Sequence, residues 1–328
     1  MYKGWQAPDT LHRSFPFWAW NGKLNKEELI RQVQLMKGAG VGGFFIHSRE
    51  GLETEYLGKE WMECVKAVVE EAKKQGMYVW LYDEDRFPSG TAGGKVPACG
   101  DAFRCKGLTL QVQEADTYPD LFDQEICGRN CGTDQNIGIQ AVYAAVAGDD
   151  DEVLSVRRLV MKQQEVFYEG EVLLVVRLEA SKASEWFNFQ SPPDNLNPEC
   201  VERFIKETHE KYKAVIGDEF GKTVLGIFTD EPSLHDRHAF FGENKGWIPW
   251  TYGLEAYFKE LNGYDFLDFL PYIYYEGEYS KRTRRDYWYM ITLRFGEAFF
   301  KRIGDWCKKN NIMFTGHFLQ EDKIGLCA

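Results

Sequence analysis

The first ninety residues alternate between two hydrophobic patterns, and this alternation constrains the fold more than any other feature of the 328-residue chain. Residues 14–24, 42–48 and 77–85 are apolar through most of their length, as strands are when both faces are covered. The segments between them have helical spacing. Asn25 can accept a free N–H at a helix start, and Glu28 three residues on completes a capping box. Leu29, Val33 and Met36 then fall on one face, and Gly38-Ala39-Gly40 stops the helix. A second helix places Trp61, Val65, Val68 and Ala72 on one face and ends at Gly76. Joins this short imply parallel strands, because each return crosses over through a helix.

The rhythm breaks after Gly94. From 98 to 190 the runs GLTLQVQEA, IQAVYAAVAG, VLSVRRLVM and EVLLVVRLEA are short and separated by turn residues, which predicts an inserted antiparallel β-unit. Asn197-Pro198, a cap followed by proline at the first helical position, restarts the earlier pattern. Val201, Phe204, Ile205, Tyr212 and Val215 give that helix its apolar face, and 223–232 reads as a fourth strand. An aromatic stretch over 234–280 reads as loop with short helices. A helix over 284–309 turns Trp288, Ile291, Phe295, Phe299 and Trp306 inward, and 312–322 is a fifth strand. The expected class is α/β, a partial TIM-type (β/α) barrel with an inserted antiparallel β-unit. Residues 1–97 carry barrel strands one to three, 98–190 the insert, and 191–328 strands four and five. The five strands should lie side by side in chain order with the fifth at an edge, against the eight of a closed barrel.

Each apolar run ends in polar residues, and in such barrels catalytic groups stand at the C-terminal ends of strands. The ends are Trp20-Asn21, His47-Ser48-Arg49-Glu50, Asp83-Glu84-Asp85, Asp230-Glu231, and His317 with Glu321 and Asp322 beyond it. Taken singly, each has a plain structural explanation. The histidines could be core residues, Arg49 could pair with Glu50 or Glu53, and Asp83–Asp85 could be a solvated turn before Phe87-Pro88-Ser89-Gly90. Five polar ends on five strands point to a shared rim. Three consecutive carboxylates repel one another, so at least one is expected to meet a cation. Cleaving a glycosidic bond takes one protonated and one ionised carboxyl group, with environments that separate their pKa values. Glu231, before Pro232 and near Trp247, Trp250 and Tyr252 in sequence, suits the protonated role, because burial beside rings raises a carboxyl pKa.

A net charge of -12 argues against nucleic-acid binding, which needs clustered Lys and Arg. No apolar run is long enough to span a membrane. The N-terminal MYKGWQAPDT has no apolar signal core, so a cytoplasmic location with reduced thiols is expected. Cys99, Cys105, Cys127 and Cys131 lie close in sequence, but their spacings are not those of paired zinc ligands. Aromatics make up 15% of the chain, enough to line a sugar pocket as well as a core. Trp18, Trp20 and Trp80 are the strand residues considered for ring contacts.

Together PFWAWNGKL, MKGAGVGGFFIHSREG, YDEDRFPSGTAGG, FTDEPS and TGHFLQED resemble glycoside hydrolase family 106 and its α-L-rhamnosidase-like relatives, over 16–94 and 223–322. The insert has no counterpart in that resemblance. The resemblance implies a TIM-type barrel, an inverting mechanism, a catalytic glutamate pair and an active-site calcium. Carried onto this chain, it makes Glu231 the general acid and Glu321 the general base, with α-L-rhamnosides as substrates. Trp20, Asn21, His47, Arg49, Asp83, Asp85, Asp230 and His317 would contact the carbohydrate, and Glu84 would bind the metal. The family's last barrel strands and following β-sandwich domains are not found in this chain. Two rival readings are a retaining barrel glycosidase, suggested by Glu-Pro after the fourth strand, and a non-catalytic carbohydrate-binding remnant.

Overall fold

The computed structural model describes residues 8–121, 138–148, 152–234 and 246–318. The first strand is β1 (Phe17–Gly22), followed by α1 (Lys26–Gly38), β2 (Gly43–Leu52), α2 (Lys59–Gln75) and β3 (Tyr78–Tyr82). Asn25 caps α1 by accepting the Glu28 N–H at 2.9 Å. The Glu28 carboxylate does not complete the capping box: it reaches forward to Arg31 and Gln32. Gly76 ends α2 in the left-handed conformation that glycine adopts without steric cost.

Beyond β3 the chain forms β4 (Lys106–Glu114), β5 (Gly138–Ala147), β6 (Val153–Arg158) and β7 (Glu171–Ala180). Then come α3 (Pro198–Glu207), α4 (His209–Ile216), β8 (Val224–Asp230), β9 (Ile248–Trp250) and α5 (Leu254–Asn262). Helix α6 (Ser280–Phe295) continues through a π-turn, 296–301, into α7 (Arg302–Lys309), and β10 (Met313–His317) follows. Two five-stranded sheets result. One is parallel, ordered β1-β2-β3-β8-β10, so the five strands read as apolar runs lie side by side in chain order. The other is antiparallel, ordered β6-β5-β7-β4-β9.

Strand alternation divides the parallel sheet into two unlike faces. Trp20, Phe44, Ile46, Val79, Leu81 and Ile227 are buried in one core with Val33, Val65, Val68, Phe204, Phe299 and Ile303 of the helices. The opposite face carries Phe17, Phe45, Trp80, Tyr82 and Phe228, whose rings touch one another in sequence across the strands. Gly226 makes that face possible: a Cβ there would come within 2.3 Å of the Trp80 ring.

The central strands of the antiparallel sheet, β5 and β7, are buried on both sides. Leu174, Val176 and Leu178 face Trp250, Phe258, Phe266, Tyr287 and Ile291, while Leu173 and Val175 face Tyr118, Leu121 and Leu159. Two details differ from the sequence expectation. The aromatic stretch after β8 joins the insert's sheet, β9 pairing with β4 through Lys106↔Trp250 and Leu108↔Ile248. Trp288 is 36% exposed rather than inward, although Ile291 and Phe299 of the same helical run are buried. Lys106 ties the two parts together. Its buried ammonium meets Asp194 at 2.9 Å, donates to the Asp101 and Arg104 carbonyls, and sits 4.9 Å from the Tyr252 ring centroid.

Candidate active site

The polar ends of the parallel strands form three groups with different environments. The first lies on the aromatic face. The register pairs Ala19 with His47 and His317 with Asp230, and the His47 and Tyr82 rings meet edge to face with their centroids 4.0 Å apart. The Tyr82 hydroxyl donates to Asp230 Oδ2 at 2.6 Å, and His317 Nδ1 is 3.5 Å from Asp230 Oδ1. Burial, followed by the positive charge of Arg49, pushes the His47 pKa down to about 4, so its imidazole is neutral near pH 7. Burial and the Asp230 carboxylate push the Tyr82 hydroxyl far up, which keeps it a donor. Glu231 follows with φ of +45°, in the left-handed region, and its N–H donates to the His317 carbonyl at 3.1 Å. A non-glycine residue held there costs on the order of 1–3 kcal/mol, and such residues cluster at functional sites.

The second group is internal. Asp83 is fully buried and accepts from the Ser89 hydroxyl at 2.6 Å. Ser89 in turn accepts the Asp230 N–H and donates its own N–H to the Asp230 carbonyl, each at 2.8 Å. This clips the loop after β3 to the end of β8. Burial pushes the Asp83 pKa up to about 7, opposed by the hydroxyls of Ser89 and Thr229. Glu84 is also fully buried. Its Oε1 accepts the N–H groups of Asp85 and Gly93, and its Oε2 those of Gly90, Thr91 and Ala92. Burial and the adjacent Asp85 push its pKa upward, while these donors favour the ionised carboxylate.

That donor set corrects the role expected of Glu84. Calcium takes six to eight oxygen ligands. A carboxylate has about four lone-pair sites, and five N–H donors already fill those of Glu84. Glu84 organises its own loop and does not fit a metal ligand. Among the described residues no group of three or more His, Cys, Asp or Glu side chains is arranged to hold an ion. The repulsion within Asp83–Asp85 is relieved instead by hydroxyl and N–H donors and, at Asp85, by Asn188 at 2.7 Å and Arg86 at 3.7 Å.

The third group contains Arg49 and Asp85, which line a cavity on the rim between the β2 and β3 loops. Asn21 is exposed at the end of β1. Trp20 is 1% exposed among Trp18, Trp61 and the helices, so it is a core residue and does not contact a ligand. Trp250 stacks on Phe266 in the second core, and Trp247 packs against Gly107. The rings expected around Glu231 therefore serve the antiparallel sheet. Glu321 and Asp322 lie outside the described residues, as do Cys127, Cys131 and Cys327. Among the described cysteines, Cys64, Cys99, Cys200 and Cys307 are free thiols. Tyr82 and Ser89 were missed by the sequence reading. Tyr82 was within reach, since alternation puts it on the face of Trp80, whereas Ser89 had no signal apart from its turn.

The molecule is thus a mixed α/β protein whose parallel strands gather ionisable and aromatic groups at one end. Neither known protein-family profiles nor curated protein sequences match the chain. Among solved structures it is similar to a rhamnosidase from Novosphingobium sp. PP1Y, with a TM-score of 0.59 at 13% identity. The match covers 97% of this chain and 47% of that one, so the chain spans about half the length of that structure. At this identity the likeness shows a shared fold. Among the described residues no helix is long and apolar enough to cross a membrane.

Proposed function

We propose that this chain carries the catalytic end of a hydrolase of O-glycosidic bonds, acting on α-L-rhamnosides by an inverting mechanism with two carboxyl groups. On this reading the parallel sheet is part of a TIM-type barrel. The reading is supported by parallel strands in chain order, helices packed on one face, and polar groups at the C-terminal strand ends. The carrying observation is Glu231. It is held at φ of +45° beside an Asp230 that Tyr82, Ser89 and His317 fix from three sides. The fold shared with a rhamnosidase supports this choice of substrate class.

Glu231 protonates the departing glycosidic oxygen. Glu321 takes a proton from a water that attacks the anomeric carbon from the opposite face. An inverting pair stands roughly 6.5–9.5 Å apart to leave room for that water, against about 5–5.5 Å in a retaining pair. Neutral His47, Asp230 and His317 line the aromatic face and bond sugar hydroxyls. Asp83 is sealed from solvent and acts through Ser89 on the position of Asp230. No step is assigned to calcium.

The test is hydrolysis of aryl and alkyl α-L-rhamnosides by the wild-type chain and its Glu231→Gln variant. Loss of a general acid should lower kcat/KM by about 10²–10⁴ for alkyl leaving groups, and much less for nitrophenolate, which leaves unprotonated. The first-formed sugar should be the anomer of inverted configuration. Equal losses on both substrates would remove Glu231 from the acid role, and a retained anomer would favour the retaining alternative.

A further inference from the structure

The rim cavity has a volume of about 280 Å³ and is built from three distant segments: the β2–α2 loop, the loop after β3, and a turn of the insert at Asn188. Its lining includes Ser48, Arg49, Glu53, Asp85, Lys95 and Asn188. Ser48 is 2% exposed, and its hydroxyl has no hydrogen-bond partner among the described residues. A buried hydroxyl without a partner costs free energy in the ligand-free fold, and a ligand that bonds it recovers that cost. Asn188, itself at φ of +55°, is fixed by donating to Asp85 and accepting from Arg86, so the wall it forms is set before any ligand arrives.

The mixture of charges decides what fits. A cation would face Arg49, Arg86 and Lys95, an anion would face Glu50, Glu53, Glu55 and Asp85, and an apolar group would strip water from all seven. A neutral ring of hydroxyls can donate to the carboxylates and accept from the cations and from Ser48. The volume is at the lower edge of the roughly 300–1,000 Å³ of small-molecule sites, room for one sugar ring. We infer that this cavity is a second sugar site, holding a further residue of an oligosaccharide whose terminal unit occupies the strand-end site. The inference rests on the carbohydrate reading above.

The test titrates the Glu231→Gln protein with a disaccharide ending in an α-L-rhamnosyl residue, and separately with free L-rhamnose. Nitrogen-edited NMR follows the side-chain amide of Asn188 and the Nε of Arg49. The disaccharide should shift both resonances, and L-rhamnose at the same concentration should leave them in place. Ser48→Ala should weaken the disaccharide about fivefold, the loss of one neutral hydrogen bond, while leaving the melting temperature unchanged or higher. A merely structural Ser48 would lower it. The cavity assignment is overturned if wild-type protein hydrolyses the disaccharide while neither resonance moves in the variant, or if sodium sulfate or calcium chloride alone reproduces the shifts. If both resonances respond as expected and no glycoside is hydrolysed, the sugar site stands and the hydrolase reading falls.

Discussion

Replacing Glu84 by glutamine preserves shape and removes one acceptor oxygen together with the charge. In the native loop Oε2 faces three N–H donors and Oε1 faces two. The glutamine oxygen will take the side with three donors, leaving the amide NH₂ pressed against the N–H groups of Asp85 and Gly93. A buried donor without an acceptor costs about 1–3 kcal/mol, and these two are only part-buried, so Glu84→Gln should lose roughly 2–4 kcal/mol. That is a large share of the 5–15 kcal/mol typical of a folded domain. Urea unfolding should show a midpoint lowered by on the order of 1 M, given slopes of roughly 1–3 kcal/mol per M or somewhat more for a chain of this size. Amide hydrogen exchange supplies the finer signature: Asp85 and Gly93 should lose protection while Gly90, Thr91 and Ala92 keep theirs. Added calcium should not restore the midpoint. If Glu84 were a protonated acid or a metal ligand, this reasoning would fail, and the failure would be visible. A protonated carboxyl is closely mimicked by an amide, so a change below about 1 kcal/mol with uniform protection would refute the ionised-anchor assignment. Recovery of the variant's midpoint with calcium would do the same.

Two further outcomes follow from buried charge. His209 is fully buried between Phe204 and Trp306, neither ring nitrogen has a hydrogen-bond partner among the described residues, and burial pushes its pKa down to about 3. The unfolded chain therefore binds a proton there that the folded chain refuses. This residue's share of stability is full above pH 6.5 and falls as pH drops from there toward 3, by up to about 1.4 kcal/mol per pH unit. A His209→Leu variant should show a shallower acid limb in urea midpoint against pH, and parallel limbs would contradict the assignment. Lys106→Met should destabilise the chain by roughly 3–5 kcal/mol, because among the described residues Asp194 is left buried with the Thr251 hydroxyl at 2.7 Å as its remaining side-chain partner. Adding Asp194→Asn should recover part of the loss in a double-mutant cycle, and strictly additive losses would show that the two groups are not coupled.

The sequence alone determined most of the elements and most of their sides, β9 and the exposed Trp288 being the exceptions. Asn25 and Gly76 bound their helices by local hydrogen bonding and by φ, and apolar runs marked the strands, although β1 and β10 keep one face exposed rather than covered. The short joins made those strands parallel, and a period of two set His47 and Tyr82 on one face and Ile46 and Leu81 on the other. Such properties depend on neighbours within a few residues, so one chain segment carries them complete. Partners were another matter. Nothing within Asp83-Glu84-Asp85 distinguishes a sealed carboxylate, a loop anchor and a rim ligand. Ser89, the amides of 90–93 and Asn188 make that distinction, and the last of these reaches Asp85 across 103 residues. Trp20 and Trp80 look alike as alternating strand residues, yet helices cover only one of their faces. The aromatic stretch that ought to surround Glu231 instead closes the edge of β4, because Ile248 and Trp250 find unpaired backbone there and a second core beside it. Burial and charge separation depend on which distant groups share a space, and only tertiary packing decides that.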